Sequence, residues 1–162
     1  MNKPLIVIDM QPAFEASGQV LRPVLEIITK AQKRESDIIV VEYDLTDRDW
    51  YSETEKVTHK AITKQLKKYR KKHLVIKERN DGSNEVFNYM QENEIPHQIV
   101  QICGVNTGAC VKETVWGLYQ YDAIKKIQLL IKGCADIYWS NAQALRNFFP
   151  KEARKPKIKV VY

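Results

Sequence analysis

Short apolar runs alternate with amphipathic segments along the chain, and this alternation limits the folds that the sequence can adopt. The apolar runs have the length of strands, and we predict strands at 3–9, 38–43, 73–77, 99–103, 124 or 125 to 131, and 157–162. Near-continuous apolar runs are typical of parallel strands buried on both faces. Strands that alternate with helices predict right-handed βαβ units. We therefore predict an α/β fold with three α/β/α layers and a six-stranded parallel sheet, Rossmann-like in architecture.

The helices are expected between these strands, at 23–35, 52–71, 83–93, 108–120 and 139–149. Pro23 suits the first turn of a helix, and Ser52 with Glu55 has the spacing of a capping box. Residues 10–19 are predicted to form a loop because Pro12 and Gly18 interrupt regular structure. The segment 133–136 is predicted to end the fifth strand.

Length and composition predict one domain over residues 1–162, with 44% hydrophobic residues and enough chain for a sizeable core. No apolar run is long enough for a membrane span, and the short apolar start that ends in Asp9 does not read as a signal peptide. Three cysteines without a Cys-x-x-Cys pair do not form a disulfide framework. We therefore expect a cytoplasmic protein with free thiols and without a membrane partner.

The net charge of +6 raises the question of a nucleic-acid partner. Basic residues in and just after the second predicted helix share one face by their spacing: Lys64, Lys67, Lys68, Lys71 and Lys72. A solvated outer face is the favoured interpretation, and a patch for nucleic acid or an anionic surface is the alternative. We therefore do not predict a nucleic-acid partner.

The stretch Ile99–Thr114 combines a buried strand, glycines at 104 and 108, and a cysteine near the start of a helix. Unpaired N–H groups at a helix start favour an anion, which predicts a lowered pKa for the Cys110 thiol. The same groups can stabilise an oxyanion after the sulfur attacks a carbonyl or nitrile carbon. This arrangement is typical of an activated nucleophile.

Two further strands end in charged residues, Asp9 after the first and Lys77 at the end of the third. The carboxyl ends of parallel strands meet at one edge of the sheet, where ligands bind. Asp9, Lys77 and Cys110 are therefore expected to converge as base, charge partner and nucleophile.

With these residues the sequence resembles the isochorismatase-like cysteine hydrolases, which include nicotinamidases and N-carbamoylsarcosine amidases. The resemblance rests on three segments: Val7–Phe14, Val75–Lys77 followed by Phe87, and Gly104–Thr107 with Ala109–Val111. It implies that Asp9, Lys77 and Cys110 form a catalytic triad, and that the Val105–Asn106 peptide bond is cis. It also implies a homo-oligomer.

The resemblance further implies hydrolysis of a small amide, or a related C–N bond, through a covalent thioester. Backbone N–H groups of Asn106 and Cys110 would form the oxyanion hole. Phe14, Tyr43 and Val105 are expected to line the substrate pocket, although Phe14 equally suits packing against the sheet edge.

Nicotinamidases carry Asp-x-His metal ligands where this chain has Asp44-Leu45-Thr46. None of the three histidines, His59, His73 and His97, has ligand spacing. We therefore predict no metal, and the absence of a P-loop or Gly-x-Gly-x-x-Gly motif predicts no nucleotide or other cofactor.

Other classes fit less well. A phosphoryl receiver would place its acceptor carboxylate where this chain has Lys77, and a cysteine phosphatase needs an arginine soon after Cys110, whereas the next is Arg146. The remaining alternative to an amidase is a non-catalytic protein that keeps the hydrolase pocket and binds a small ligand there.

Overall fold

The computed structural model of the chain describes residues 3–154 and 156–162. Its centre is a parallel sheet of six strands in the order β3-β2-β1-β4-β5-β6. The strands are β1 Leu5–Ile8, β2 Ile38–Tyr43, β3 Lys72–Lys77, β4 Ile99–Val105, β5 Lys126–Ala135 and β6 Ile158–Val161. The predicted six-stranded parallel sheet is therefore confirmed.

The helices lie between the strands as the alternation predicts. They are α1 Glu15–Lys33, α2 Glu53–Lys56, α3 Lys60–Leu66, α4 Ser83–Glu92, α5 Lys112–Tyr119, α6 Asn141–Phe148 and α7 Lys151–Arg154. A π-helical turn, Thr107–Val111, leads into α5. No helix in the described parts of the chain is long and apolar enough to span a membrane.

The strand order reverses direction at the centre of the sheet. The chain runs outward from β1 to β3, returns to β4 beside β1, and runs outward again to β6. Right-handed crossovers then place α1 to α3 on one face and α4 to α7 on the other. This order creates a switch point between the carboxyl ends of β1 and β4, where open α/β sheets bind ligands.

The first helix departs from the prediction, because it begins at Glu15 and contains both Gly18 and Pro23. The apolar stripe that starts before the proline continues after it, through Ala16, Val20, Val24, Ile28 and Ala31. Burial of this stripe against the sheet outweighs the local preference for a break at Gly18 and Pro23.

The predicted helix 52–71 is wrong in its length. The capping box of Ser52 and Glu55 is present, but the helix ends at Lys56 and α3 begins only at Lys60. Between them, Thr58 N–H donates to Glu42 Oε1 at 2.7 Å and His59 N–H donates to the Met10 carbonyl at 2.8 Å. These contacts with distant segments replace the helical hydrogen bonds.

Two other boundaries differ. β5 continues through residues 133–135 and pairs with the end of β4 across a register shift, so the segment predicted to end the strand belongs to it. The predicted helix 108–120 is divided into the π-helical turn and α5. The last predicted helix, 139–149, is α6, and the short α7 follows it.

Candidate active site

Asp9, Lys77 and Cys110 meet at the carboxyl edge of the sheet. Asp9 follows β1, Lys77 ends β3 and Cys110 lies in the π-helical turn after β4. The Lys77 Nζ lies 2.9 Å from the Asp9 Oδ2. Asp9 and Lys77 are each 1% exposed and Cys110 is 5% exposed. The topology thus brings together the three residues that the sequence selects.

The backbone beside these groups is closely packed. Asp9 has φ 51°, a left-handed conformation that aspartate tolerates better than most residues, and its N–H donates to the Val41 carbonyl. Gly104 pairs with Ile8 in the sheet and has φ 129°. A Cβ at Gly104 would lie 2.1 Å from the Ile8 carbonyl oxygen. Glycine is therefore required where β4 passes the end of β1.

Burial governs the electrostatics of the site. It raises the pKa of Asp9, while the neighbouring Lys77 charge opposes that rise. Burial and then the Asp9 charge raise the pKa of the Cys110 thiol to about 12, against a smaller lowering by Lys77. The prediction of a lowered thiol pKa is therefore wrong for the free protein, because burial and the Asp9 carboxylate outweigh the helix start. The thiol of the free protein is therefore protonated and lies beside the Asp9 carboxyl group.

The turn that carries Cys110 is held from several sides. The Val105–Asn106 peptide bond is cis, as the resemblance implies. The Asn106 carbonyl accepts from the N–H groups of Ala109 and Val111, both at 3.1 Å, and closes the backbone around Cys110. These contacts do not test whether Asn106 and Cys110 form an oxyanion hole. That assignment stays a prediction.

An aspartate that the sequence analysis did not single out also holds this turn. Asp136 follows β5, and its Oδ2 accepts from the Gly108 N–H at 2.7 Å while Oδ1 accepts from the Tyr138 N–H. A Cβ at Gly108 would lie 2.6 Å from the Phe148 ring, so α6 packs directly on the turn. The sequence signal for Asp136 was its position directly after a predicted strand. Its partner, Gly108, is 28 residues away in the sequence, so the contact itself could not be predicted.

The predicted pocket residues lie around the same site. The Lys77 Nζ lies 4.4 Å from the centre of the Tyr43 ring, and Phe14 meets Tyr43 edge-on with ring centres 6.3 Å apart. Val105 is fully buried at the end of β4. Phe14 and Tyr43 are both partly buried, which fits packing as well as ligand contact.

Gln11 fixes the position of Tyr43 and was also missed by the sequence analysis. Its side-chain oxygen accepts from the Tyr43 N–H at 2.8 Å, and its Nε2 donates to the Tyr43 carbonyl at 3.0 Å and to the Lys56 carbonyl. Gln11 is fully buried. It therefore ties the end of β2 and the end of α2 to the segment that follows Asp9.

Asp44 and the three histidines do not form a metal site. The Asp44 Oδ1 accepts from the N–H and hydroxyl of Thr46, and His59 Nε2 hydrogen-bonds with the Ser17 hydroxyl at 2.7 Å. His73 contacts Asp37 and Tyr89, and His97 contacts the Ile95 carbonyl. Within residues 3–154 and 156–162, no group of three or more His, Cys, Asp or Glu residues could hold a metal ion.

Comparisons with known proteins show similarity in structure. Neither protein-family models nor curated proteins give a match to this chain. The nicotinamidase of Staphylococcus aureus is similar with a TM-score of 0.76 at 19% identity, over 99% of this chain and 98% of that one. A nicotinamidase/pyrazinamidase of Bacillus subtilis has a TM-score of 0.77 at 14% identity, over 100% of both chains.

A third solved structure is similar over the same range. The pyrazinamidase of Pyrococcus horikoshii, solved in complex with zinc, has a TM-score of 0.73 at 19% identity, over 99% of both chains. These similarities establish that the chain has the fold of these hydrolases.

Proposed function

We propose that this chain is an isochorismatase-like cysteine hydrolase that cleaves a small amide, or a related C–N bond, through a covalent thioester on Cys110. The observation that carries the proposal is the convergence of Asp9, Lys77 and Cys110 in a fold shared with nicotinamidases and pyrazinamidases. The substrate is expected to be nicotinamidase-like or carbamoyl amidase-like.

In the first half of the reaction, the Cys110 sulfur attacks the amide carbon while the thiol proton passes to Asp9. The carbonyl oxygen becomes an oxyanion, which backbone N–H groups of Asn106 and Cys110 would stabilise. As the C–N bond breaks, Asp9 delivers its proton to the leaving nitrogen. The products of this half are an amine or ammonia and an acyl group on sulfur.

In the second half, water attacks the thioester carbon and Asp9 takes a proton from the water. The C–S bond then breaks, the acid leaves, and the sulfur recovers the proton from Asp9. Burial of Asp9 suits this role, because a raised pKa makes a carboxyl group a better proton acceptor and donor near neutral pH.

Lys77 contributes charge. Its ammonium lies against the Asp9 carboxylate, where it keeps part of the buried carboxyl population ionised and ready to accept a proton. It also favours the negative charge that develops on Cys110 when the thiol proton leaves.

The test is ammonia release from a panel of small amides that includes nicotinamide and carbamoyl compounds, with intact mass measured for an acyl adduct. Cys110→Ala should abolish both release and adduct, since it removes the nucleophile. Cys134→Ala is the matched control, because it removes another buried cysteine, which lies on β5 and is not part of the Asp9, Lys77 and Cys110 group.

Two outcomes would contradict the proposal. Undiminished release by Cys110→Ala would remove the thioester mechanism. No release and no adduct from a folded wild-type protein across the panel would favour a protein that binds a ligand without hydrolysing it.

A further inference from the structure

The Asn80 side chain lies beside the sulfur of Cys110 and has no role in the reaction proposed above. The Asn80 Oδ1 is 3.5 Å from the Cys110 Sγ, within the range of a thiol donor. Cys110 is buried, whereas Asn80 is exposed. The carboxamide of Asn80 therefore stands at the boundary between the nucleophile and solvent.

Hydrogen bonds on both sides of Asn80 fix its position relative to the reacting groups. Before it, the Arg79 carbonyl accepts from the Lys77 Nζ at 2.9 Å. After it, the Gly82 N–H donates to the Thr114 hydroxyl at 3.0 Å, and that hydroxyl lies 3.5 Å from the Asn80 carbonyl. The segment 78–82, here called the Asn80 loop, is thus anchored to Lys77 and to α5, the helix that follows Cys110.

The Asn80 loop packs closely against the residues of the candidate site. A Cβ at Gly82 would lie 2.7 Å from the Lys77 Cδ, so the loop rests directly on the lysine side chain. Thr114 is fully buried. The Asp81 Oδ1 accepts from the Ser83 N–H and ties the end of the loop to the first turn of α4.

We infer that Asn80 is a specificity-determining residue, which hydrogen-bonds the acyl part of the substrate and selects acyl groups with a polar atom near the scissile carbonyl. This inference rests on the proposed function. Asp9 and Lys77 occupy the buried side of Cys110, so an acyl group on the sulfur extends toward the exposed side, where Asn80 is fixed. A carboxamide offers two N–H donors and one carbonyl acceptor to such a group.

The test compares amides that are matched in shape and differ in one polar atom: nicotinamide with benzamide, and lactamide with isobutyramide. The wild type should show the higher kcat/KM for the polar member of each pair. Asn80→Ala should reduce that preference roughly three- to tenfold, the loss expected for one neutral hydrogen bond. The change should appear mainly in KM, because the contact is present in the bound substrate as well as in the transition state.

Asn88→Ala is the matched control, because Asn88 is an exposed asparagine on α4. It should leave the preference for the polar members as in the wild type. A wild type without preference in either pair, or an Asn80→Ala protein that loses the same factor on both members, would overturn the inference.

A second readout keeps the inference testable if no amide is turned over. Alkylation of Cys110 by iodoacetamide is followed by intact mass, with Cys110→Ala as the blank, in the presence of nicotinamide or benzamide. Nicotinamide should protect Cys110 better than benzamide in the wild type, and Asn80→Ala should remove the difference. Equal protection in the wild type would reject the role of Asn80 independently of whether the protein is a hydrolase.

Discussion

At the scale of single residues, the site combines a buried ion pair with a buried thiol. Lys77 and Asp9 are almost completely removed from solvent, and a buried pair of this kind recovers its desolvation cost only with good geometry. Apolar residues of similar volume would often stabilise a fold as well. The charges therefore suit the proton transfer proposed for Asp9 and Cys110 better than a role in stability.

The raised pKa of Asp9 predicts the pH dependence of the reaction. The carboxylate must be ionised to accept the thiol proton, so kcat/KM should rise with pH as Asp9 loses its proton. Burial favours the neutral carboxyl group, so the midpoint should lie above the ordinary value of 3.8. Lys77→Met removes the main cause that lowers this pKa, so the midpoint should move to higher pH and kcat/KM should fall roughly a hundredfold or more.

The measurement is a pH–rate profile of wild type and Lys77→Met with one amide substrate. Lys112→Met is the control, because Lys112 is a partly exposed lysine that pairs with Glu113. An acid limb that stays at the same pH after loss of the Lys77 charge would argue against the coupling of Lys77 and Asp9.

At the scale of elements, the site depends on one unusual connection between β4 and α5. Gly104 lets β4 pass the end of β1, the π-helical turn carries Cys110, and Asp136 accepts a hydrogen bond from the start of that turn. π-helical turns are often found at functional sites. Three different strands therefore determine where one sulfur lies.

Substitution by alanine should have opposite effects on the free energy of unfolding at two glycines, Gly104 and Gly18. Gly104→Ala should lower the free energy of unfolding by at least about 2 kcal/mol, because φ 129° disfavours a side chain and the new Cβ would meet the backbone of Ile8. Gly18→Ala should raise it by about 0.5–1 kcal/mol, because Gly18 is exposed inside α1 with nothing within 4 Å of the new Cβ.

Urea unfolding followed by circular dichroism measures both variants against the wild type. Equal stability of Gly104→Ala and wild type would mean that β4 can move away from β1. In that case the close approach beside Asp9 would not be a requirement of the fold.

At the scale of the whole molecule, the basic surface and the candidate site are separate features. The lysines of the basic face lie on and after α3, and Lys64, Lys67 and Lys68 are exposed there. The groups of the site lie at the carboxyl ends of β1, β3 and β4. The charge is therefore best explained as a solvated face.

A solvated basic face predicts only weak, salt-sensitive binding to nucleic acid. Any binding to duplex DNA should show no sequence preference and should fall steeply between roughly 50 and 200 mM salt, as expected for contacts with phosphates alone. Electrophoretic mobility shifts with two unrelated duplexes at several salt concentrations measure this. Binding that survives the higher salt with one duplex only would contradict it and restore a nucleic-acid partner.

The sequence alone determined the fold class, the six parallel strands and the meeting of Asp9, Lys77 and Cys110 at one edge of the sheet, because these follow from local patterns and from the rule that parallel strands end at one edge. The start of α1 and the break between α2 and α3 could not be predicted, because burial against the sheet and hydrogen bonds from the Thr58 and His59 N–H groups to Glu42 and Met10 override local propensity there. The contacts of Asn80 and Asp136 and the raised pKa of the Cys110 thiol depend on the tertiary structure. Desolvation and hydrogen bonding between distant segments exist only once the chain has folded, and no local pattern in the sequence encodes them.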